Sequence, residues 1–365
     1  MFVYYDESIL SYVSSIREYF GLSSSYKPNS KFLDLINNRS PKKIFLLLID
    51  GMGANLIEHK LPVDSFLRKN MINKVSTVFP ATTVAATTSI RNGKAPNENA
   101  WLGWVQYLSE VNDYIIPFTG IGYYNNTKYG NDIMQKCIPV VSMEDELNKI
   151  GIKSRTLLPS FSEDGCGNFD IMCDRLTYYS NNDDYKFIYA YWDEYDSCMH
   201  EHGPNSKISD EYLVYLNSAI DKLASSLSND TMLIVLADHG QIEVEEEYNL
   251  YGSKYDKYLL GKPSLEARAC MLRIKEGMSK EFEQEFKKEF EDRFILLDHN
   301  QILETKLFGD KASHQRFNEF IGDYIAIGKK NTVLVYKDYY EPMLKGQHSG
   351  ICDDELFVPI IVHQN

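Results

Sequence analysis

Three segments of this chain run as uninterrupted apolar or aromatic stretches and then stop on acids. Lys43 to Asp50 reads KIFLLLID, Tyr185 to Trp192 is followed by Asp193 and Glu194, and Thr231 to Ala237 reads TMLIVLA before Asp238-His239-Gly240. A continuous apolar run without alternation marks a strand covered on both faces, which is how parallel sheets are built. Helical stretches intervene, over Met143 to Ile150 and Ser209 to about Leu227, and further strand-like runs cover Lys74 to Phe79, Lys153 to Leu158 and Leu356 to Val362. This alternation predicts an α/β fold with a doubly wound, mostly parallel central sheet flanked by helices. In such sheets ligands gather at the carboxyl ends of the strands, which is where the acids and histidines fall.

The 365 residues are 44% hydrophobic and 25% charged, a balance that excludes a disordered chain. Their length suits one large α/β unit with insertions or two domains. A break in character after Gly261-Lys262-Pro263 suggests a small α+β insert over 261–310, with the catalytic core formed by 1–260 and 311–365. Within the insert, Phe282, Phe286, Phe290 and Phe294 recur every four residues along a highly charged helix, so they are expected to pack inward. A lid over the site is the other reading of this segment.

The formal net charge of −14 repels polyanions, so a nucleic-acid polymer is not an expected partner. A small phosphorylated substrate remains compatible, because bound cations invert the field locally. No run of about 18 apolar residues exists to span a bilayer. The first residues lack the basic start and apolar stretch of a secretory signal, and six cysteines without any C-x-x-C pair suit reduced thiols. A cytoplasmic location is the expectation.

Candidate ligands stand at the ends of these runs. Asp50 closes the first, Asp238 and His239 the third, and Asp196 and His200 lie four apart, close enough for one helical turn to aim both at one ion. His202 is a competing donor or a solvated loop residue. His348 lies between Gly346 and Gly350, where the backbone can approach a centre closely or simply form a loop. Oxygen and nitrogen donors without a thiolate motif suit zinc first and manganese second. Pro80-Ala81-Thr82-Thr83 precedes a small-residue helix, where hydroxyls either cap the helix or serve a phosphate held at its N-terminus.

In order, LIDGMG, FPATT, DEYDSCMHEHGP, LADHG and KGQHSG resemble the alkaline phosphatase superfamily, specifically its type I phosphodiesterase and nucleotide pyrophosphatase branch, from about Lys43 to Val362. The resemblance implies two divalent metals, one held by Asp50, Asp238 and His239 with Thr83 as bound nucleophile, the other by Asp196, His200 and His348. It implies hydrolysis of a phosphodiester or pyrophosphate bond through a covalent phospho-threonine, with a nucleotide among the candidate substrates. A phosphomonoesterase on the same scaffold and a non-catalytic metal-binding module are the alternatives. Tyr191 matches a tyrosine that stacks on the base in nucleotide-cleaving members. Two departures stand out: Val84 replaces the usual aromatic residue after the nucleophile, and the position of a phosphoryl-holding asparagine falls at or near Trp104, with Asn97 and Asn99 as substitutes. The Thr82-Thr83-Val84-Ala85-Ala86 sequence lacks the Cys/Ser-x-Pro-x-Arg setting of a sulfatase.

Overall fold

A computed structural model describes residues 3–162, 164–182, 184–339 and 341–365. The apolar runs assemble into a six-stranded sheet in the order Met71–Ser76, Phe357–His363, Thr231–Leu236, Lys43–Ile49, Phe187–Trp192, Ser154–Leu157. Lys43–Ile49 pairs in parallel with Thr231–Leu236 and Phe187–Trp192, and the latter in parallel with Ser154–Leu157. Phe357–His363 runs antiparallel to both its neighbours. The three inner strands are buried at every position, as their unbroken apolar character predicts.

Helices cover this sheet. Lys207–Ser226 places Leu213, Leu216, Ile220 and Leu223 in its core, a three-four spacing that makes one apolar stripe. Two helices not foreseen from sequence, Ile9–Tyr19 and Ser30–Arg39, add Ile9, Val13, Ile16, Phe32 and Ile36 to the same core. Each has a side-chain N-cap: Ser8 accepts from the Leu10 N–H, and Asn29 from that of Phe32.

A second, antiparallel sheet has the order Ser264–Leu265, Ala269–Leu272, Tyr324–Gly328, Phe294–Asp298. Tyr324–Gly328 lies beyond the 261–310 segment, so this unit continues past residue 310. The apolar pattern of a buried strand is the same whichever sheet it joins, and only pairing assigns it. The charged helix, Ser279–Phe290, turns Phe282, Phe286 and Phe290 inward, where with Phe294 they meet Tyr255, Tyr258 and Tyr324. Gln106–Leu108, Asp113–Ile116 and Ile121–Gly122 form a third small sheet. Among the described residues, no helix is long and apolar enough to cross a membrane. All six cysteines are unpaired.

Candidate functional site

Strand register brings the acids together. Leu48 is level with Tyr191 on one side and with Leu236 on the other, so Asp50 and Asp238 emerge at one edge of the sheet. The Gly51 N–H donates to Oδ1 of Asp238 at 3.2 Å, and so does the N–H of His239 at 3.0 Å. Gly51 has φ +72°, and a Cβ there would stand 3.1 Å from Oδ1 of Asp196, so the turn after the first strand needs glycine.

Asp196 and His200 lie on one face of the Glu194–His202 helix, with Nε2 of His200 3.1 Å from Oδ2 of Asp196. Nδ1 of His200 is 2.8 Å from the Gly346 carbonyl, which orients the ring. His348 stacks on His239 at a centroid distance of 3.8 Å and lies 5.2 Å from His200. Thus Asp50, Asp196, His200, Asp238, His239 and His348 converge. Asp50, Asp238 and His239 offer ligand atoms within 4.8 Å of one another, and so do Asp196, His239 and His348. His239 therefore belongs to both groups, and His200 adjoins the second through Asp196. His202, two residues and so just over half a turn beyond His200 on the same helix, stands 3.8 Å from Glu201 instead.

Thr83 is the first residue of the helix Thr83–Asn92. Its hydroxyl donates to Oδ2 of Asp50 at 3.3 Å and lies 3.2 Å from Nε2 of His239. Thr82, at the cap position, does not cap: its hydroxyl donates to Oε1 of Glu266 at 2.6 Å. The first N–H groups of the helix are thereby left without a side-chain acceptor beside Thr83, where the helix dipole also favours an anion.

The electrostatics are those of buried acids that the imidazoles around them compensate only in part. Burial, reinforced by Asp238 and Asp196, holds the Asp50 carboxyl well above the ordinary range. Burial and Asp196 push Asp238 up to about 7. Burial opposes ionisation of Asp196 too, but His200, His348 and His239 around it win and hold it low. Burial would depress His200; Asp196 overrides it and raises the imidazole to about 9. His348, buried beside His239, is held well below the usual value. Oδ1 of Asp50 and Oδ2 of Asp238 are both buried: the first lies 3.1 Å from Nε2 of His239, and the second, 3.7 Å from the same nitrogen, accepts no hydrogen bond among the described residues. An unsatisfied buried carboxylate oxygen is costly, and divalent cations would satisfy both oxygens and neutralise the clustered charge. The donor set thus fits metal ions, and its mixed oxygen and nitrogen character fits zinc.

A cavity of about 360 Å³ opens beside these residues, bounded by Thr82, Thr83, Asp196, His200 and His348 on one side and by Trp104, Tyr123, Glu266 and Tyr336 on the other. Trp104 lines it with 38% of its surface exposed. Tyr191 does not reach it. Being on an inner strand, Tyr191 is buried with its hydroxyl donating to Asp50, so stacking on a substrate base is closed to it in this arrangement. Asn97 and Asn99 are also turned away, donating to Lys311 and Ser313 and to Ser89 and Lys94 respectively. Reading motifs alone missed Glu266, whose carboxylate accepts from Thr82 and, at 2.7 Å, from the Trp104 N–H. It missed Gln241 as well, which donates to Asp196. Gln241 follows the Asp238-His239-Gly240 motif directly, a signal that was available; Glu266 carries none, because it lies in a remote segment.

The sequence profile for type I phosphodiesterase / nucleotide pyrophosphatase matches residues 124–351, well over half the chain. The chain belongs to this family. No curated protein sequence matches it significantly. Among solved structures, this family member is similar to murine ectonucleotide pyrophosphatase / phosphodiesterase 5, with a TM-score of 0.68 at 16% identity over 88% of each chain. An inactive form of that mouse protein was solved in complex with AMP. The human protein of the same name matches with a TM-score of 0.69 at 15% identity over 88% of this chain and 87% of its own. Phosphonoacetate hydrolase from Sinorhizobium meliloti, solved with phosphonoformate, matches with a TM-score of 0.65 at 11% identity over 88% of this chain and 90% of its own. At these identities the likeness shows that this family member shares their fold.

Proposed function

We propose that this protein is a metal-dependent hydrolase of phosphodiester or pyrophosphate bonds in a small molecule, acting through a phospho-threonine at Thr83. The observation that carries this reading is the position of the Thr83 hydroxyl, 3.3 Å from Asp50 and 3.2 Å from His239, at an uncapped helix N-terminus beside the buried carboxylates of Asp50 and Asp238. Asp50, Asp238 and His239 would hold one divalent ion, and Asp196, His200 and His348 the other, with His239 close to both groups. When bound, two such ions, zinc first and manganese second, neutralise phosphoryl oxygens and favour the ionised threonine hydroxyl.

Thr83 Oγ1 forms the bond to phosphorus as the bond to the leaving oxygen breaks; its proton, directed at Asp50 before attack, passes to solvent, and the leaving oxygen departs with the electron pair of the broken bond and takes a proton from solvent. The uncapped N–H groups of its helix receive a phosphoryl oxygen. Water then cleaves the phospho-threonine, returning the hydroxyl. Trp104, Tyr123 and Tyr336 give the leaving group aromatic surface, which suits a nucleotide.

Glu266 favours a diester over a monoester. Burial pushes Glu266 up to about 7, so above that pH a monoester brings its second negative charge to a cavity whose wall already carries this carboxylate, next to Thr82.

The test is zinc- or manganese-reconstituted turnover of a dinucleotide, a nitrophenyl diester and a nitrophenyl monoester by the wild type and by Thr83→Ala. Diester hydrolysis that falls by several orders of magnitude in Thr83→Ala, with zinc still bound, supports the assignment. Full diester turnover by that variant refutes the nucleophile, and faster monoester than diester turnover by the wild type refutes the substrate class.

A further inference from the structure

Arg268 and Glu355 form an ion pair with both side chains completely buried. The contact is a two-pronged fork: Nε donates to Oε1 at 2.6 Å and Nη2 to Oε2 at 2.8 Å. Nη1 donates to the carbonyls of Lys330 at 2.6 Å and Thr332 at 2.7 Å, so the guanidinium is anchored in the second sheet and its connections. Glu355 has further duties on the opposite side. Its Oε1 accepts from the Gly350 N–H at 2.7 Å, its Oε2 from the Cys352 N–H at 3.3 Å, and its own carbonyl accepts from the Gly240 N–H at 2.8 Å.

These bonds meet around the residues of the metal centre. Gly350 is two residues after His348, and Gly240 follows His239. Between His348 and Gly350 stands Ser349, fully buried with φ +90°, a backbone state that is strained for a serine and persists only where its surroundings impose it. Packing leaves no slack there. A Cβ on Gly350 would stand 2.7 Å from Oε2 of Glu355, and one on Gly240 would stand 2.0 Å from the Asp354 carbonyl.

A buried ion pair is seldom kept for stability, since apolar replacement is often neutral or better. We propose that Arg268 and Glu355 are positioning residues that hold the strained 348–350 turn and thereby fix His348 as a ligand, making the second sheet part of the metal centre. This rests on the reading of His348 as a ligand.

The experiment compares the full-length wild type with Glu355→Gln and with the double variant Arg268→Met/Glu355→Leu, which leaves no unpaired buried charge. Zinc affinity is read against a chromophoric chelator, cobalt(II) substitution by its absorption spectrum, and folding by circular dichroism. The wild type should bind two ions. The folded variants should keep one at wild-type affinity, lose about 10- to 100-fold at the other, and show one cobalt environment changed. If Glu355→Gln fails to fold, the double variant decides. Two ions bound with unchanged affinity and an unchanged cobalt spectrum in a folded variant overturn the proposal. A wild type that binds no zinc instead overturns the functional reading beneath it.

Discussion

The Tyr191 hydroxyl donates to Oδ2 of Asp50, the same oxygen that accepts from Thr83. One carboxylate oxygen is thus oriented by a strand tyrosine on one side and faces the candidate nucleophile on the other. Tyr191→Phe keeps the ring and removes only this donor. Zinc affinity should fall about 10-fold or more and kcat with it, while KM for a dinucleotide stays unchanged. A variant with wild-type kcat and zinc affinity would show that this hydrogen bond does not orient Asp50.

Metal-free protein should lose stability as pH rises. Burial raises Asp238 from 3.8 to about 7, so the folded state holds a proton that the unfolded state releases, and this contribution is complete below 3.8 and lost as pH passes through about 7. His200, raised from 6.5 to about 9 against Asp196, contributes in the same sense, complete below 6.5 and lost through about 9. Asp196, held low, has its effect only below its ordinary range. Below pH 6.5 His348, held well under its usual value, acts in the opposite sense, while Asp50, held well above its own, acts with Asp238; the melting temperature of chelator-treated protein should therefore fall between about pH 4 and 9, most steeply above about pH 6.5, with Asp238→Asn removing part of that dependence below about pH 7. Zinc should reverse the trend, because ligands that must be deprotonated bind it better at higher pH. A chelated protein that melts higher at pH 8 than at pH 5 would contradict the arrangement of these acids.

Glu266 sits where a second substrate charge would be felt. Glu266→Gln keeps an acceptor for the Thr82 hydroxyl and the Trp104 N–H while removing the charge that the carboxyl, raised by burial to about 7, carries above that pH, so the comparison is made at about pH 8 to 9. Activity on a nitrophenyl monoester should rise several-fold relative to the diester. Steady-state kcat/KM on both esters checks this, and an unchanged ratio would mean that the carboxylate does not discriminate.

Much of the candidate site was legible because each candidate ligand is tied to a local pattern. An apolar run that ends on an acid places Asp50 or Asp238 at a strand terminus whatever else the chain does, and the spacing of Asp196 and His200 puts both on one helix face. The motif order then named Thr83. Tyr191 shows the limit: its match to a family tyrosine implies a substrate contact, yet residues alternate sides along a strand, and its neighbours send the hydroxyl to Asp50 instead.

The sequence by itself determined that a buried, mostly parallel sheet would form and that acids and imidazoles would collect at one edge, because apolar periodicity and strand length are local properties. Only the tertiary structure decided that His239 stands within reach of both ligand groups, that Glu266 forms a wall of the cavity, and that Arg268 reaches Glu355 across 87 positions. Such contacts arise when separate sheets pack together, and no residue carries in its own neighbourhood a record of what will lie opposite.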